Sequence, residues 1–210
     1  MIAPGFSGTI GNTPLVELRA LSAALGRHIL GKAEFLNPGG SVKYRAARGI
    51  VDDAEKAGAL QPGGVIVEGT AGNTGIALAL VANERGYRCT IFVPDDQSQE
   101  KIDLLRAYGA DVRVVPAVGF ANENNYYHQA RREAEATPGA FWANQFENTS
   151  NRRAHELTTG PEVWLQTGGR IDAFVAAAGT GGTVAGVSLA LKQRSAKVQT
   201  VLCDPMGSAL

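Results

Sequence analysis

A lysine that follows a glycine turn is the residue of this sequence best suited to covalent chemistry. Lys43 comes directly after residues 37–42, which read Asn-Pro-Gly-Gly-Ser-Val. Ser41 can cap a helix that runs to Ala57, with Gly58 as its end, so we expect Lys43 in the first helical turn. The positive end of the helix dipole disfavours a charged ammonium there, and a neutral amine is the form that condenses with an aldehyde. Taken alone, a solvated surface lysine is the commoner explanation.

A second glycine turn is suited to holding a phosphate. It follows residues 171–178, whose almost wholly apolar sequence predicts a buried strand. A turn at the carboxyl edge of a sheet that leads into a helix presents backbone N–H groups to anions. Val184 stands where a dinucleotide fingerprint needs glycine, and no P-loop lysine is present, so those two motifs do not fit. The alternative is a tight turn without a ligand. The residues of this phosphate loop are Gly179, Thr180, Gly181, Gly182 and Thr183.

A third loop lies between a predicted strand and a predicted helix. Its backbone N–H groups and its two threonine hydroxyls are suited to a carboxylate, and the amide of Asn73 can donate to a phenolate-type oxygen. The alternative is an Asx-type turn that only caps the helix. An amine, a phosphate cradle and a small polar loop together are the parts that hold an aldehyde cofactor carrying a phosphate. The residues of this substrate loop are Thr70, Ala71, Gly72, Asn73 and Thr74.

The elements that must position these loops are short apolar strands that alternate with helical stretches. This order is typical of an α/β protein with a mainly parallel sheet. We expect strands at 65–67, 89–93, 112–115, 174–178 and 198–203, and helices at 76–85, 99–108, 126–136 and 183–192, in addition to the helix that Ser41 caps. Ser98 is the expected cap of the helix at 99–108.

The composition excludes several classes of protein. The chain has 210 residues, 44% of them hydrophobic, and 20 basic residues balance 20 acidic ones. This balance gives no reason to expect a nucleic acid partner, and no apolar run reaches the length of a membrane span. We expect a cytoplasmic protein in which Cys89 and Cys203 are buried thiols. His28, His128 and His155 show no metal-ligand spacing, so we expect no metal site.

With these loops in view, the sequence resembles the cysteine synthase and cystathionine β-synthase family of pyridoxal-phosphate enzymes, of fold type II. The resemblance begins at residues 11–15 (Gly-Asn-Thr-Pro-Leu) and runs to the last residue. Residues 143–146 (Ala-Asn-Gln-Phe) and 158–164 (Thr-Thr-Gly-Pro-Glu-Val-Trp) point to the cysteine synthase branch.

The resemblance implies a specific architecture. We expect two three-layer α/β domains with mainly parallel sheets, as in the tryptophan synthase β subunit. Residues 1–14 and 38–149 would form a smaller domain with the substrate loop, and residues 15–37 and 150–210 a larger domain with the phosphate loop. Because family members continue beyond this point, we expect the C-terminal part of the larger domain to be missing.

The resemblance also implies a cofactor and a reaction. Pyridoxal 5'-phosphate would be held covalently by Lys43, which then acts as acid and base at the α-carbon of the substrate. The phosphate loop would bind the phosphate, Asn73 the 3'-oxygen of the ring, and the substrate loop together with Gln145 the substrate carboxylate. O-acetylserine would lose acetate, and sulfide would add to give cysteine.

Alternatives and partners follow from the same resemblance. A condensation of the cystathionine β-synthase type, with homocysteine in place of sulfide, is the nearest alternative. A truncated or degenerate homologue that acts as a non-catalytic interaction partner is the second. We expect a homodimer for the full-length protein, and docking of the C-terminal tail of serine acetyltransferase in the active site. The sequence departs from the family at Ala71, where serine is common, and at Tyr44, where the usual residue is aspartate; we expect a phenol beside the cofactor.

Overall fold

Strands and helices alternate along the chain in the computed structural model, which describes residues 2–208. The strands are Leu15–Glu17 (β1), Leu30–Lys32 (β2), Val65–Gly69 (β3), Arg88–Pro94 (β4), Asp111–Val115 (β5), Ala140–Trp142 (β6), Ala173–Ala177 (β7) and Gln199–Cys203 (β8). The helices are Arg19–Leu25 (α1), Lys43–Lys56 (α2), Asn73–Arg85 (α3), Gln99–Ala107 (α4), Tyr126–Ala136 (α5), Ser150–Ala154 (α6), Gly160–Gln166 (α7) and Gly182–Arg194 (α8). A π-helical segment, His155–Thr159, joins α6 to α7, and short 3-10 helices occur at Ser7–Thr9 and Glu34–Leu36.

The central feature is a four-stranded parallel sheet in the order β5-β4-β3-β6. Strand β3 pairs with β4 on one side, Val65 opposite Arg88, and with β6 on the other, Val65 opposite Ala140. Consecutive side chains of β3 alternate between two apolar clusters: Ile66 packs with α2 and α3, whereas Val67 packs with α5. Helices therefore cover both faces, as parallel sheets require, and the predicted α/β class is confirmed.

A second parallel pair, β7 and β8, carries the strand that leads into the phosphate loop. The prediction that this strand is buried is wrong for the described residues, because Val175 is 55% exposed and every side chain of β8 is exposed. Phe174 packs against Val187 and Leu191 of α8, so the described chain covers one face only. Cys203 is exposed for the same reason, contrary to expectation, whereas Cys89 is buried as predicted. An apolar sequence predicts that a strand can be buried, but it does not say which helices or strands of the described chain cover it.

The helix boundaries test the capping arguments. Gly58 has the positive φ of +68° that suits a helix end, as predicted. The Oγ of Ser41 accepts the N–H of Lys43 at 3.3 Å, but the N-cap position is held by Val42, so the predicted cap is displaced by one residue. Ser98 precedes α4 as predicted, but its hydroxyl makes no capping bond. Helices α3 and α8 begin at Asn73 and Gly182, earlier than predicted, because the loop residues themselves form the first turns. None of the helices within residues 2–208 combines the length and apolarity of a membrane span.

Candidate active site

Lys43 is half-buried at the start of α2. Burial lowers the pKa of its ammonium below the ordinary value of a lysine, and no charged neighbour in the described chain accounts for any part of the shift. The sequence argued for a less basic amine from the helix dipole, and the structure adds desolvation as a second cause acting in the same direction. A lysine with a lowered pKa at the start of a helix is suited to react with an aldehyde.

Arg45 fixes the helix that carries this lysine. It lies below the protein surface and forms ion pairs of 2.7 Å with Glu34 and with Glu162. Although burial opposes ionisation, the hydrogen bonds from Arg45 lower the pKa of Glu162 to about 2. Lys32 bonds the same carboxylate at 2.7 Å, and Arg45 also donates to Thr13. Two segments that carried the family resemblance, 11–15 and 158–164, thus meet at α2.

The substrate loop and Gln145 lie together, as the sequence predicts. Because β3 and β6 are adjacent and parallel, the loops after them share one edge of the sheet. The hydroxyl of Thr74 donates to Oε1 of Gln145 at 2.5 Å, and the hydroxyl of Thr70 accepts the N–H of Gly72 at 3.3 Å. Since Oε1 of Gln145 already accepts a bond, its amide N–H groups are the part that suits a carboxylate.

Two residues of the substrate loop differ in exposure from the buried threonines beside them. Asn73 is exposed at the first position of α3, and Ala71 is half-buried. Within the loop, the N–H of Gly72 donates to the hydroxyl oxygen of Thr70, so the turn is formed by Thr70 and not by an Asx turn at Asn73. This local structure leaves the Asn73 amide as a surface donor at the helix N-terminus; its contact with a ring oxygen stays a prediction.

Glu68 is a site residue that sequence reasoning missed. It is the last-but-one residue of β3 and is 0% exposed. Its Oε1 accepts the N–H of Gly69 at 3.1 Å, and its Oε2 accepts the N–H of Gln145 at 3.2 Å. The carboxyl therefore joins the end of β3 to the turn at residues 145–147, called the Gln145 turn below. Burial raises the pKa of Glu68 to about 8, because desolvation outweighs these amide bonds. A single acid in the otherwise apolar segment 65–69 was the available signal.

The buried carboxyl of Glu68 predicts how stability changes with pH. Its pKa of about 8 in the folded protein lies above the ordinary value of 4.5 for a glutamate. The folded state therefore binds more protons between these values, and this group's contribution is lost as the pH rises, by up to about 1.4 kcal/mol per pH unit. We expect Glu68→Gln, which cannot ionise, to remove this loss. Urea unfolding at intervals from pH 5 to pH 8.5 measures the free energy of unfolding of both proteins.

The comparison between the two proteins isolates the carboxyl from every other titrating group. The stability of Glu68→Gln relative to wild type should rise steadily across this range. Glu100→Gln serves as a control, because it changes an exposed glutamate in the first turn of α4. Parallel pH profiles for Glu68→Gln and wild type would show that Glu68 is ionised throughout and would contradict the prediction.

The phosphate loop forms the N-terminus of α8. Gly181 has a φ of +78°, a left-handed conformation that side chains disfavour, which explains why glycine stands there. The Oγ1 of Thr180 accepts a bond from Nδ2 of Asn151 at 2.8 Å, and the Oγ1 of Thr183 lies 3.2 Å from Nε2 of His155. Both threonines of the loop are therefore anchored by residues of the α6 region.

His155 supports the phosphate loop as a neutral group. It is buried, and its Nδ1 lies 2.8 Å from Oγ1 of Thr159. Burial and the positive charges of Arg45 and Lys43 lower its pKa to about 4, so one ring nitrogen donates and the other accepts near neutral pH. His155 is therefore a buried structural residue beside the phosphate loop.

Tyr44 does not lie where the sequence placed it. The prediction of a phenol beside the cofactor is wrong, because the side chain is 0% exposed and belongs to the core cluster behind α2. Its hydroxyl is buried near the phenol of Tyr108, but no hydrogen bond of ordinary length and angle joins it to Tyr108 or to any other described residue. A Cβ added at Gly39 would lie 1.7 Å from this hydroxyl oxygen, so the ring packs under the glycine turn. Burial and the neighbouring phenol of Tyr108 raise the pKa of Tyr44.

Taken together, these residues fit a phosphate-bearing aldehyde. The positive φ of Gly181 turns the loop into the start of α8, whose first N–H groups have no helical acceptor. The oxygen of Thr180 already accepts a bond, so its single proton is left to donate to an anion. Helix α2, which begins with Lys43, packs against α6, and Asn151 of α6 bonds to the phosphate loop, so the amine and the phosphate loop lie on neighbouring elements.

Comparison with known proteins gives a family and several relatives. A model of the family described as "Pyridoxal-phosphate dependent enzyme" matches residues 6–210. Cysteine synthase 1 of Neurospora crassa is 60% identical over 210 residues, which are 100% of this chain and 56% of that protein. Cystathionine beta-synthase of Rattus norvegicus is 42% identical over 212 residues, covering 100% of this chain and 38% of that protein.

A solved structure shares the fold. The crystal structure of O-ureido-L-serine synthase superposes with a TM-score of 0.92 at 40% sequence identity, and the match covers 100% of this chain and 65% of that one. The cysteine synthase of Dictyostelium discoideum is 51% identical over 209 residues, again covering 100% of this chain and 55% of that protein. The chain therefore spans little more than half the length of the cysteine synthases that it matches.

Proposed function

The chain belongs to the pyridoxal-phosphate dependent enzyme family, and from this premise we propose that the protein to which it belongs replaces the β-substituent of a serine derivative. The substrate we assign is O-acetylserine, with sulfide as the second substrate and cysteine and acetate as products. The observation that carries the proposal is the bond from Thr74 of the substrate loop to Gln145, whose N–H is held by Glu68, in a chain that also presents a phosphate loop and a lysine of lowered pKa.

Each residue has a defined task in this proposal. Lys43 would hold the cofactor covalently and, once released by the substrate, would move the proton at the α-carbon as a neutral amine. The phosphate loop would bind the phosphate, and Asn73 would donate to the ring oxygen. The substrate loop and Gln145 would orient the substrate carboxylate. The bound cofactor supplies an electron sink for the α-carbon, while the protein supplies orientation and proton transfer.

The relatives favour sulfide over homocysteine as the nucleophile. Proteins named cysteine synthase are 51% and 60% identical to this chain, whereas the protein named cystathionine beta-synthase is 42% identical. The name O-ureido-L-serine synthase belongs to a neighbour at 40% identity, which shows that this fold also serves a different product. The chain spans about half the length of these cysteine synthases, so their sequence identity supports the proposal for the part of the protein that they share with it.

Product formation tests the proposal directly. We expect the purified protein, loaded with pyridoxal 5'-phosphate, to form cysteine from O-acetylserine and sulfide, measured by a colorimetric cysteine assay. With homocysteine in place of sulfide, we expect a kcat/KM at least about tenfold lower, because a pocket built for a small nucleophile disfavours a larger one. Faster cystathionine formation would favour the alternative reaction. Bound cofactor with no turnover of either nucleophile would favour the non-catalytic interaction partner.

Further properties stay predictions that rest on the family resemblance. They are a homodimer, docking of the serine acetyltransferase tail in the active site, a cytoplasmic location and the division into the two domains given above. The strands between residues 65 and 142 form one sheet, and β7 with β8 forms another, which supports the proposed division.

A further inference from the structure

One side chain joins the two loops on which the proposed function depends. Asn151 lies in the first turn of α6 and is 4% exposed. Its Nδ2 donates to the backbone oxygen of Gln145 at 3.0 Å and to the Oγ1 of Thr180 at 2.8 Å. These two bonds use both hydrogens of the amide group, so its donors are fully committed to the substrate side and the phosphate side at once.

The same amide also packs against the backbone of the phosphate loop. A Cβ added at Gly182 would lie 2.2 Å from Oδ1 of Asn151 and 2.6 Å from its Cγ. Glycine at position 182 therefore allows the amide to approach the first residue of α8 closely. The contact fixes where the helix N-terminus begins relative to α6.

The bond to Thr180 also sets the direction of a donor. A hydroxyl has one proton, and because the Thr180 oxygen accepts from Asn151, that proton is left for another acceptor. On the other side, the Gln145 backbone is held at its oxygen by Asn151 and at its N–H by Glu68. Asn151 is thus the one described side chain that bonds to both the Gln145 turn and the phosphate loop.

From this arrangement we propose that Asn151 is a positioning residue that couples the phosphate loop to the Gln145 turn. The proposal rests on the proposed function and deepens it. It assigns to one amide the relative positions of the loop that binds the cofactor phosphate and the turn that binds the substrate carboxylate. An aspartate at this position has the same size but offers only acceptors to two oxygens. The bond to the Gln145 backbone oxygen is then lost, and the Thr180 hydroxyl can only donate to the new carboxylate, which uses the proton otherwise left for an anion. The two loops therefore lose their common donor.

The phosphate side is tested with two forms of the cofactor. We expect Asn151→Asp to raise the Kd for pyridoxal 5'-phosphate about tenfold, which corresponds to ~1.4 kcal/mol. The Kd for pyridoxal, which has no phosphate, should change by less than about twofold, because the effect runs through the loop. In a Thr180→Val background, Asn151→Asp should weaken phosphate-form binding by a smaller factor than in wild type, since one shared bond is already gone. Absorbance titration of the cofactor-free protein measures these constants.

The carboxylate side is tested on the protein saturated with pyridoxal 5'-phosphate. L-alanine carries the carboxylate and amine of the substrate but no leaving group, and its binding is followed by the change in the cofactor spectrum. We expect Asn151→Asp to raise its Kd about tenfold, whereas Thr180→Val should change it by less than about twofold.

Asn148 provides the matched control. It lies three residues earlier, its Nδ2 donates to the backbone oxygen of Ala143 at 3.0 Å, and no bond to the phosphate loop is recorded for it in the described chain. Asn148→Asp should leave the ratio of the two cofactor constants unchanged. Asn151→Ala, which introduces no charge beside the phosphate loop, is measured in parallel and should show the same selective weakening. An effect confined to Asn151→Asp would reflect repulsion by the new carboxylate and would overturn the coupling role.

The outcomes separate this proposal from the proposed function. Equal weakening of both cofactor forms in an Asn151 variant, or no weakening of either, overturns the coupling role, as does the same selective effect in Asn148→Asp. A wild-type protein that binds neither form overturns the proposed function and the coupling role together.

Discussion

Replacing Lys43 with alanine is expected to abolish cysteine formation and the covalent attachment of the cofactor. We expect kcat to fall about 10³-fold or more, because the variant loses both the covalent anchor and the group that moves the α-proton. Borohydride reduction of the wild-type protein should eliminate the visible absorbance of the bound cofactor and leave a phosphopyridoxyl label on Lys43, which peptide mass spectrometry locates. The alanine variant should carry no label at that position.

Lys56 is the control for this experiment, because it is an exposed lysine at the other end of the same helix, α2. Lys56→Ala should retain turnover and become labelled at Lys43 as the wild type does. A label on another lysine, or full turnover of Lys43→Ala, would contradict the assignment. Retained cofactor binding in Lys43→Ala with lost turnover is still consistent with it, because the phosphate loop is unchanged.

Local patterns were enough to predict the elements. The apolar runs after residues 64, 88 and 111 predicted β3, β4 and β5, because a buried parallel strand reads as a continuous apolar segment. Glycine and serine signals placed the ends of α2 within one residue. These features depend on residues that are close in sequence, so they can be predicted without knowledge of the tertiary structure.

Long-range partners were not predictable in the same way. Asn151 reaches Thr180 across 29 residues, and Glu68 reaches Gln145 across 77. No spacing rule links such residues; only the pairing of β3 with β6 and the packing of α6 against α8 bring them together. Gln145 itself was found through the family resemblance, whereas Asn151 had no signal of its own.

Tyr44 shows how a resemblance can mislead when burial is unknown. Because aspartate is usual at this position in the family, the resemblance alone would favour Tyr44→Asp as a restoring substitution. The structure reverses this expectation, because the side chain is fully buried in the core cluster. Tyr44→Asp would leave a cavity and place an acid in an apolar environment.

We therefore expect Tyr44→Asp and Tyr44→Phe to change stability in opposite directions. The aspartate variant should lose about 3–5 kcal/mol, the range seen when a large buried aromatic side chain is removed, and its Tm should fall by about 6–20 °C. The phenylalanine variant removes a buried hydroxyl that has no partner among the described residues. Its stability should rise by about 1 kcal/mol, or about 2–4 °C in Tm.

Tyr87→Phe gives this pair its control, because the Tyr87 hydroxyl donates to Glu55 at 2.9 Å. Removing a hydroxyl that makes a hydrogen bond should lower the free energy of unfolding by about 0.5–1.5 kcal/mol and lower the Tm slightly. Removing the unpaired hydroxyl of Tyr44 should raise the Tm. Thermal unfolding followed by circular dichroism measures all three variants under the same conditions. A Tm of Tyr44→Asp at or above that of wild type would place residue 44 outside the core, next to solvent or the cofactor. The same sign of change for Tyr44→Phe and Tyr87→Phe would mean that the Tyr44 hydroxyl has a partner after all.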